Sequence, residues 1–265
     1  MCCHPVVDHW QDYKMSRTVV WFSAGAASAI AAKLTIAQNP SDLVIAYTDP
    51  GSEHPDNERF LNDCEKWFGH PIIRLKSKKY ADTWDVFEKG RYLVSPYGAM
   101  CTAELKKKVR RDFQQPDDIH VFGYTSEEQH RADRFREQNI EVDLRTPLID
   151  YNLTKDDCIA MVQRAGIELP AMYKLGYRNN NCIGCVKGGM GYWNKIRRDF
   201  PETFERMAKV ERTLNISILR SENEPVYLDE LDPTRGNHAD EPSFECSLLC
   251  TIAEQDIELS TNTDY

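Results

Sequence analysis

A run of six small residues follows an apolar segment near the start of the chain. Residues 19–30 read VVWFSAGAASAI, and the small residues are Ser23, Ala24, Gly25, Ala26, Ala27 and Ser28. Between a buried strand and a helix, such a run presents bare backbone N–H groups and two hydroxyls at a helix N-terminus, where the helix dipole favours negative charge. The run therefore predicts a phosphate-binding loop, and a tight strand-to-helix turn without a ligand is the alternative.

The pair Cys182-x-x-Cys185 is a second group suited to chemistry. It lies in a stretch rich in asparagine and glycine, where a flexible backbone lets two sulfurs reach one centre. Its spacing alone does not distinguish between a metal site, a redox dithiol and a chance occurrence of two cysteines. The chain has nine cysteines, and its opening, MCCHPVVDHWQDYK, lacks the charged start and apolar core of a signal peptide. We therefore expect reduced thiols and a cytoplasmic location rather than a disulfide framework.

Short β-rich segments alternate with helical ones, and these elements must position both groups. The alternation predicts right-handed crossovers and a parallel sheet covered on both faces. In such a sheet, ligands bind beyond the carboxyl ends of the strands, where the small-residue loop falls. The predicted strands are Thr18–Phe22, Leu43–Tyr47, Pro71–Leu75, Ile119–Gly123 and Glu141–Arg145, and the predicted helices are Ala26–Gln38, Pro55–Phe68, Ala103–Phe113 and Glu127–Gln138.

The pattern changes after Pro147. Residues 154–157 have the side chains of a capping box and predict a helix that ends near Gly166. A polar, glycine-rich stretch follows, and helical periodicity returns from Trp193 to about Leu214. We therefore expect a smaller helical region that contains the later cysteines.

The charge balance bears on the partners of the chain. Its 33 basic and 42 acidic residues give a net charge of −9, which disfavours a general affinity for nucleic acid. No stretch is long and apolar enough to suggest a membrane partner. Basic runs occur at 106–111, 131–136 and 195–198, and we predict solvated helix faces for most of them. Arg131 and Arg134, three residues apart just beyond a predicted strand end, are suited to phosphate contacts.

Several stretches, in order along the chain, resemble one family. The small-residue loop resembles the Ser-Gly-Gly-x-Asp-Ser loop of the PP-loop adenine nucleotide α-hydrolase superfamily, and especially its phosphoadenosine phosphosulfate (PAPS) reductase-like family. YTDPGSEHPDNERF is similar to the Asp-Thr-Gly…Pro-Glu-Thr segment of that family, FGYTSEEQHRADRF to its Gly-x-Arg-x-x-Glu/Gln-Ser…Arg motif, and NNNCIGC to its Gly-Cys-x-x-Cys ending. The departures are Ala24 in place of glycine, Ala27 in place of aspartate and Thr125 in place of arginine.

The resemblance implies a fold and a ligand. The fold would be α/β, with a doubly wound, mostly parallel five-stranded sheet of the HUP/PP-loop type and a smaller helical, cysteine-bearing C-terminal region. Residues 1–16 would form an extension, 17–180 the nucleotide-binding domain, and 181–265 the C-terminal loop, helices and tail. The ligand would be ATP, PAPS or adenosine phosphosulfate, with magnesium as an optional companion. Its contacts would be residues 23–28 with Asp49, Gly51, Gly123, Arg131 and Arg134.

The resemblance also gives roles to cysteines. Cys101, in AMCTAELKKKV, is similar to a ligand of iron–sulfur sulfonucleotide reductases. Together with Cys182 and Cys185 it would hold a [4Fe–4S] cluster, with Cys250 as the candidate fourth ligand, and zinc is the alternative metal for thiolates. FECSLLC resembles the Glu-Cys-Gly-Leu-His tail of these reductases, so Cys246 is the expected nucleophile. Buried thiols or metal ligands are the alternative for Cys246 and Cys250.

Three hypotheses for function follow from the resemblance. The first is an oxidoreductase or sulfur transferase that reduces a sulfonucleotide or transfers sulfur with ATP, with a thiol reductant or a sulfur-donor protein as its partner. The second is an ATP-pyrophosphatase-type enzyme that modifies tRNA or DNA with sulfur. The third, of another class, is a non-catalytic adenine-nucleotide-binding or zinc-stabilised interaction protein. A homo-oligomer is compatible with all three.

Overall fold

The computed structural model of the protein describes residues 16–95 and 98–241. Its centre is a sheet of five parallel strands in the order β3-β2-β1-β4-β5. The predicted α/β fold with a five-stranded parallel sheet is therefore confirmed. The strands are β1 (Thr18–Phe22), β2 (Leu43–Asp49), β3 (Ile72–Lys76), β4 (Ile119–Val121) and β5 (Asp143–Arg145).

Helices connect and cover these strands. One of them contains a π-helical segment, Ala103–Lys107, between two α-helical parts, and a 3₁₀ turn, Ser126–Glu128, leads into another. The α-helices are α1 (Ala26–Ala37), α2 (Asn57–Phe68), α3 (Thr83–Gly90), α4 (Met100–Thr102), α5 (Lys108–Phe113), α6 (Gln129–Gln138), α7 (Pro147–Asp150), α8 (Lys155–Arg164), α9 (Ala171–Lys174), α10 (Met190–Asp199) and α11 (Pro201–Leu214).

The central strand β1 is buried on both faces, as its continuous hydrophobic sequence predicts. Val20 and Phe22 face a core that also contains side chains of α1, α2 and α8. Val19 and Trp21 face the opposite core, which contains Phe135 of α6. Helices therefore lie on both sides of the sheet, which is the arrangement of a doubly wound fold.

The C-terminal helices have a core of their own. Trp193 of α10 is fully buried there and packs on Phe204 of α11. The sequence predicts one helical stretch in this region, but the structure has two helices, because Pro201 begins the second one. Leu93 and Leu105 belong to the same cluster, so residues before β4 contribute to the C-terminal core.

The basic run at 106–111 is not a solvated face throughout, so that prediction was wrong for part of it. Lys106, Lys107 and Arg110 are buried, whereas Lys108 and Arg111 are exposed. The reason is tertiary, because the π-helical segment, in which the first two lysines are buried, lies against β2. The local sequence of a charge run does not indicate which of its residues tertiary contacts will bury.

The helices of residues 16–95 and 98–241 have at most 14 residues. None of them combines the length and the apolar character needed to cross a bilayer.

His120 makes the stability of the sheet sensitive to acid. It is 2% exposed on β4, and its Nδ1 accepts a hydrogen bond from Trp21 Nε1 at 2.9 Å. Burial, reinforced by the charge of Arg110, lowers the pKa of His120 to about 4. The folded protein therefore holds this ring neutral at a pH at which the unfolded chain protonates it.

Because the folded pKa lies below the unfolded one, this contribution to stability is complete above pH 6.5 and is lost as the pH falls toward 4. Between pH 7.5 and pH 5 we expect a loss of about 2 kcal/mol in the free energy of unfolding. Urea denaturation of the wild type and of His120→Gln at both pH values measures it. The variant should lose less stability over this interval, and equal losses would contradict the assignment.

Candidate functional site

The order of the strands reverses between β1 and β4, which leaves a crevice beyond their carboxyl ends. A cleft of about 100 Å³ lies there. We call it the switch-point cleft. The loop Ser23–Ser28 forms one wall, Gly123 and Tyr124 after β4 form the opposite wall, and Asn179–Asn181 close it from the C-terminal side. The predicted phosphate loop and Gly123 are thus brought together, as a ligand at a switch point requires.

The loop itself is tightly organised around one hydroxyl. Ser28 Oγ accepts hydrogen bonds from the N–H groups of Ser23 and Gly25, at 3.1 and 3.4 Å, and donates to Gly25 O at 3.0 Å. Gly25 is the N-cap of α1, so the next three amides have no acceptor within the helix. Ala24 has a left-handed backbone, with φ of 54°, a conformation that tends to occur at functional sites in non-glycine residues.

Two glycines line the cleft at points where other atoms approach closely. A Cβ on Gly123 would lie 2.8 Å from both Cα and N of Ser28 and 3.0 Å from the carbonyl carbon of Ala27. The backbone after β4 therefore packs directly on the first turn of α1. A Cβ on Gly25 would lie 3.3 Å from Tyr173 Oη, so a tyrosine hydroxyl stands over the loop.

The switch-point cleft is lined by basic side chains. Lys106, Arg131 and Lys155 reach it, and no carboxylate is among its described lining residues. Arg131 pairs with Glu128 and stacks over Tyr124, with its guanidinium carbon 5.2 Å from the ring centroid. In a chain with a net charge of −9, a cleft of this composition is suited to an anion.

Lys106 is held in place by a buried polar network. Its Nζ lies 3.2 Å from Glu53 Oε1, and the two side chains are 9% and 4% exposed. The other carboxylate oxygen of Glu53 accepts hydrogen bonds of 2.7 Å from Tyr47 Oη and Asn57 Nδ2. Burial and the charge of Glu53 raise the pKa of Tyr47, which keeps that phenol protonated. The network fixes one cation at the end of β2.

A larger groove adjoins this cleft. Its volume is about 780 Å³, and it shares Ala27, Arg131, Lys155 and Tyr173 with the cleft. Pockets for nucleotide-sized ligands measure about 300–1,000 Å³. The cleft alone therefore suits a phosphate-sized group, and the groove provides room for the remainder of a larger ligand.

Five of the predicted ligand contacts do not line the cleft. Ala24 and Ala26 are buried within the loop, and Asp49, Gly51 and Arg134 lie away from it. Asp49 ends β2, where Oδ1 accepts from the N–H of Gly51 at 2.8 Å and the carboxylate pairs with Lys76 at 2.8 Å. Gly51 has φ of 68° and forms a turn there. Arg134 lies one turn beyond Arg131 on α6, is exposed, and lines neither the cleft nor the groove. Of the two arginines, only Arg131 reaches the cleft.

Sequence reasoning missed several of the lining residues. Lys106 belongs to a run predicted to be solvated, Lys155 to a capping box, and residues 179–181 to a polar loop. The run of three asparagines was the one available signal, because its side-chain amides can bond both backbone and ligand. The burial of the lysine depends on its tertiary contacts and has no local signal.

The turn between Cys182 and Cys185 is built around a tyrosine hydroxyl. Tyr192 Oη accepts from the N–H of Cys185 at 2.9 Å and donates to the carbonyl of Cys182 at 3.3 Å. Gly184, with φ of 74°, provides the left-handed residue of the turn. Burial raises the pKa of the Tyr192 hydroxyl, which therefore stays protonated and able to donate.

The predicted metal ligands fall partly within the described residues. Cys101, Cys182 and Cys185 are buried thiols, and Cys101 and Cys185 share one apolar cluster. Within residues 16–95 and 98–241, however, no three histidine, cysteine, aspartate or glutamate side chains are grouped as a metal site. Cys246 and Cys250, the predicted nucleophile and fourth ligand, lie outside the described residues.

Comparisons with known proteins add a distant relative. No protein-family model matches the chain. An uncharacterized protein of Methanocaldococcus jannaschii is 24% identical over 202 residues, which are 73% of this chain and 41% of that protein. The chain thus spans about two fifths of the length of this relative, whose name states no activity. What can be inferred about function therefore rests on the cleft.

Proposed function

We propose that this protein is an enzyme of the PAPS reductase-like kind, with a HUP/PP-loop fold, that binds an adenine nucleotide in the switch-point cleft. The phosphates would lie at the Ser23–Ser28 loop, and the nucleoside would begin beside Asn179–Asn181 and extend into the adjoining groove. The observation that carries this proposal is the composition of the cleft. Three cations and a helix N-terminus surround it, and its described lining contains no carboxylate.

The same residues suggest how the site acts on its ligand. Reaction at the α-phosphate of ATP, or at the sulfate of PAPS, increases negative charge on the attacked group or on the leaving oxygen. Lys106, Arg131 and the amides at the start of α1 are arranged to stabilise that charge before it develops. The product would be pyrophosphate from ATP or sulfite from PAPS, and these two outcomes separate sulfur transfer from sulfonucleotide reduction.

The described residues bear on each cofactor of this proposal. Magnesium would depend on the phosphates and on solvent for its ligands, because the cleft provides no carboxylate among its described lining residues. Cys101, Cys182 and Cys185 do not by themselves form a metal site, so no step of the proposal runs through a cluster or zinc. The [4Fe–4S] cluster, the role of Cys250 and the nucleophilic role of Cys246 stay predictions from the resemblance.

Nucleotide binding without catalysis is the second candidate. Thr125, which stands in place of a family arginine, is 2% exposed and takes part in a capping box with Glu128. Its side chain therefore caps the start of the 3₁₀ turn. In the loop, Ala27 stands where the family has an aspartate. These two positions favour a site that holds a nucleotide without turning it over.

Calorimetric titration with ATP and with PAPS tests the proposal. We expect one of them to bind with a stoichiometry of one and Arg131→Ala to weaken that binding about tenfold, because a charged hydrogen bond to the ligand is lost. Arg136→Ala is the matched control, since Arg136 lies on the same helix, bonds Thr146 and does not line the cleft. Its affinity should equal that of the wild type.

The reaction is tested by measuring products. Sulfite release from PAPS with a dithiol, or pyrophosphate release from ATP with a sulfur donor, would support the enzyme. Tight binding without either product would favour the non-catalytic candidate. If neither nucleotide binds to the wild type, the proposal is wrong.

A further inference from the structure

The side-chain amide of Asn180 has an unsatisfied acceptor. The residue lines the cleft and is 7% exposed. Its Nδ2 donates to the carbonyl oxygen of Ala24 at 2.7 Å and to Asn57 Oδ1 at 2.8 Å. Its Oδ1 is buried and has no hydrogen-bond partner among the described residues. A buried carbonyl oxygen without a partner carries a desolvation penalty, and native proteins rarely leave one so.

The orientation of this side-chain amide is fixed by its neighbours. The carbonyl of Ala24 can only accept, so the NH₂ group of Asn180 must face it. Asn57 is oriented independently, because its own NH₂ group donates to the carboxylate of Glu53. The oxygen of Asn57 therefore faces Asn180 and requires the same donor. A flipped amide would place oxygen against oxygen at both contacts, so the unsatisfied atom is the oxygen.

An acceptor in this position selects a particular part of a ligand. Phosphate oxygens also accept, so a phosphate placed against Asn180 Oδ1 would repel it. The basic side chains that line the cleft can satisfy the phosphates, but Oδ1 requires an N–H or O–H group. In an adenine nucleotide these groups are the ribose hydroxyls and the exocyclic amine.

We propose that Asn180 is a specificity-determining residue, whose Oδ1 accepts a hydrogen bond from a donor on the nucleoside part of the bound nucleotide. This inference rests on the proposed nucleotide site. It places the beginning of the nucleoside, rather than the phosphates, against Asn179–Asn181, and the remainder of the nucleoside in the groove. Asn180 is also close to the cysteine turn in the sequence, because Cys182 follows two residues later.

The test pairs ligand analogues with variants of Asn180. The parent nucleotide is whichever of ATP and PAPS binds in the first titration. The analogues are its 2′-deoxy form, the form with a 6-oxo group in place of the 6-amino group, and, for ATP, the 3′-deoxy form. Each is titrated into the wild type, Asn180→Ala and Asn180→Ser. Inorganic tripolyphosphate serves as the ligand that has no nucleoside.

We expect one analogue to bind the wild type about tenfold more weakly than the parent does. That analogue and the parent should bind to each variant with equal affinity, because the variants lack Asn180 Oδ1, the acceptor for the donor in question. The analogue that shows this coupling identifies the donor as a ribose hydroxyl or the amine. Tripolyphosphate should bind the wild type and Asn180→Ala alike. A merely structural role would weaken all nucleoside ligands in parallel and would show no such coupling.

Two results would overturn the inference while leaving the nucleotide site intact. One is a variant that binds the parent as tightly as the wild type does. The other is a set of analogues whose losses are the same in wild type and variants. If neither variant folds, the Nδ2 resonances of Asn180 in the wild type decide. The parent nucleotide should shift these resonances more than the analogue that lacks the donor does. Equal shifts from the parent and all analogues would reject the proposal.

Discussion

We expect replacement of Gly123 by alanine to lower the affinity for the proposed nucleotide by about 100-fold. The new Cβ would lie 2.8 Å from Cα and N of Ser28, which are backbone atoms of the first turn of α1 and cannot rotate away. Either the loop after β4 or the start of the helix must move, and both are walls of the cleft. The displacement also costs about 1–3 kcal/mol of stability, as overpacking usually does.

A second glycine separates the loss of affinity from the loss of stability. Gly166 has φ of 75° after α8, and a Cβ there would meet nothing within 4 Å. Alanine at this position costs about 1 kcal/mol through its left-handed backbone, at a distance from the cleft. We expect Gly166→Ala to lower the melting temperature and to bind the nucleotide as the wild type does. If it also loses affinity, the effect of Gly123→Ala reflects general destabilisation.

The sheet and the loop could be predicted from the sequence because local pattern decides them. The first strand is Thr18–Phe22 in both the prediction and the structure, since a strand buried on both faces must be continuously apolar. The first helix begins at Ala26 as predicted, because the small residues end the strand and α-helix formers follow. The same reasoning placed Gly123 at the facing strand end.

The rest of the cleft could not be predicted because it depends on contacts between distant segments. Lys106 is buried since a π-helical segment brings it beside β2 and Glu53. Asn180 enters the cleft since the chain returns from the C-terminal side and bonds Ala24, 156 residues away. The sequence gives the same reason to expect a phosphate contact from Arg131 and from Arg134. Only the packing of α6 shows that Arg131 lines the cleft and Arg134 does not. In each case the neighbour that decides the role is absent from the local sequence.

The buried pair of Lys106 and Glu53 gives the largest expected change in stability. Lys106→Met leaves the carboxylate of Glu53, whose side chain is 4% exposed, with only the neutral donors of Tyr47 and Asn57. We expect a loss of about 3 kcal/mol in the free energy of unfolding, as for other buried pairs broken on one side. Urea denaturation measures it. An exposed pair is the control, and Lys89→Met, which breaks the contact with Asp85, should cost less than about 1 kcal/mol.

Removing both charges should separate the role of Lys106 in folding from its role in binding. In Glu53→Gln with Lys106→Met, no buried charge is left without its partner, so most of the lost stability should return. The cleft still lacks one of its cations, and the affinity for the nucleotide should stay about 10- to 100-fold below that of the wild type. A double variant no more stable than Lys106→Met would show that the pair is not coupled. Recovery of affinity together with stability would mean that Lys106 supports the fold without contacting the ligand.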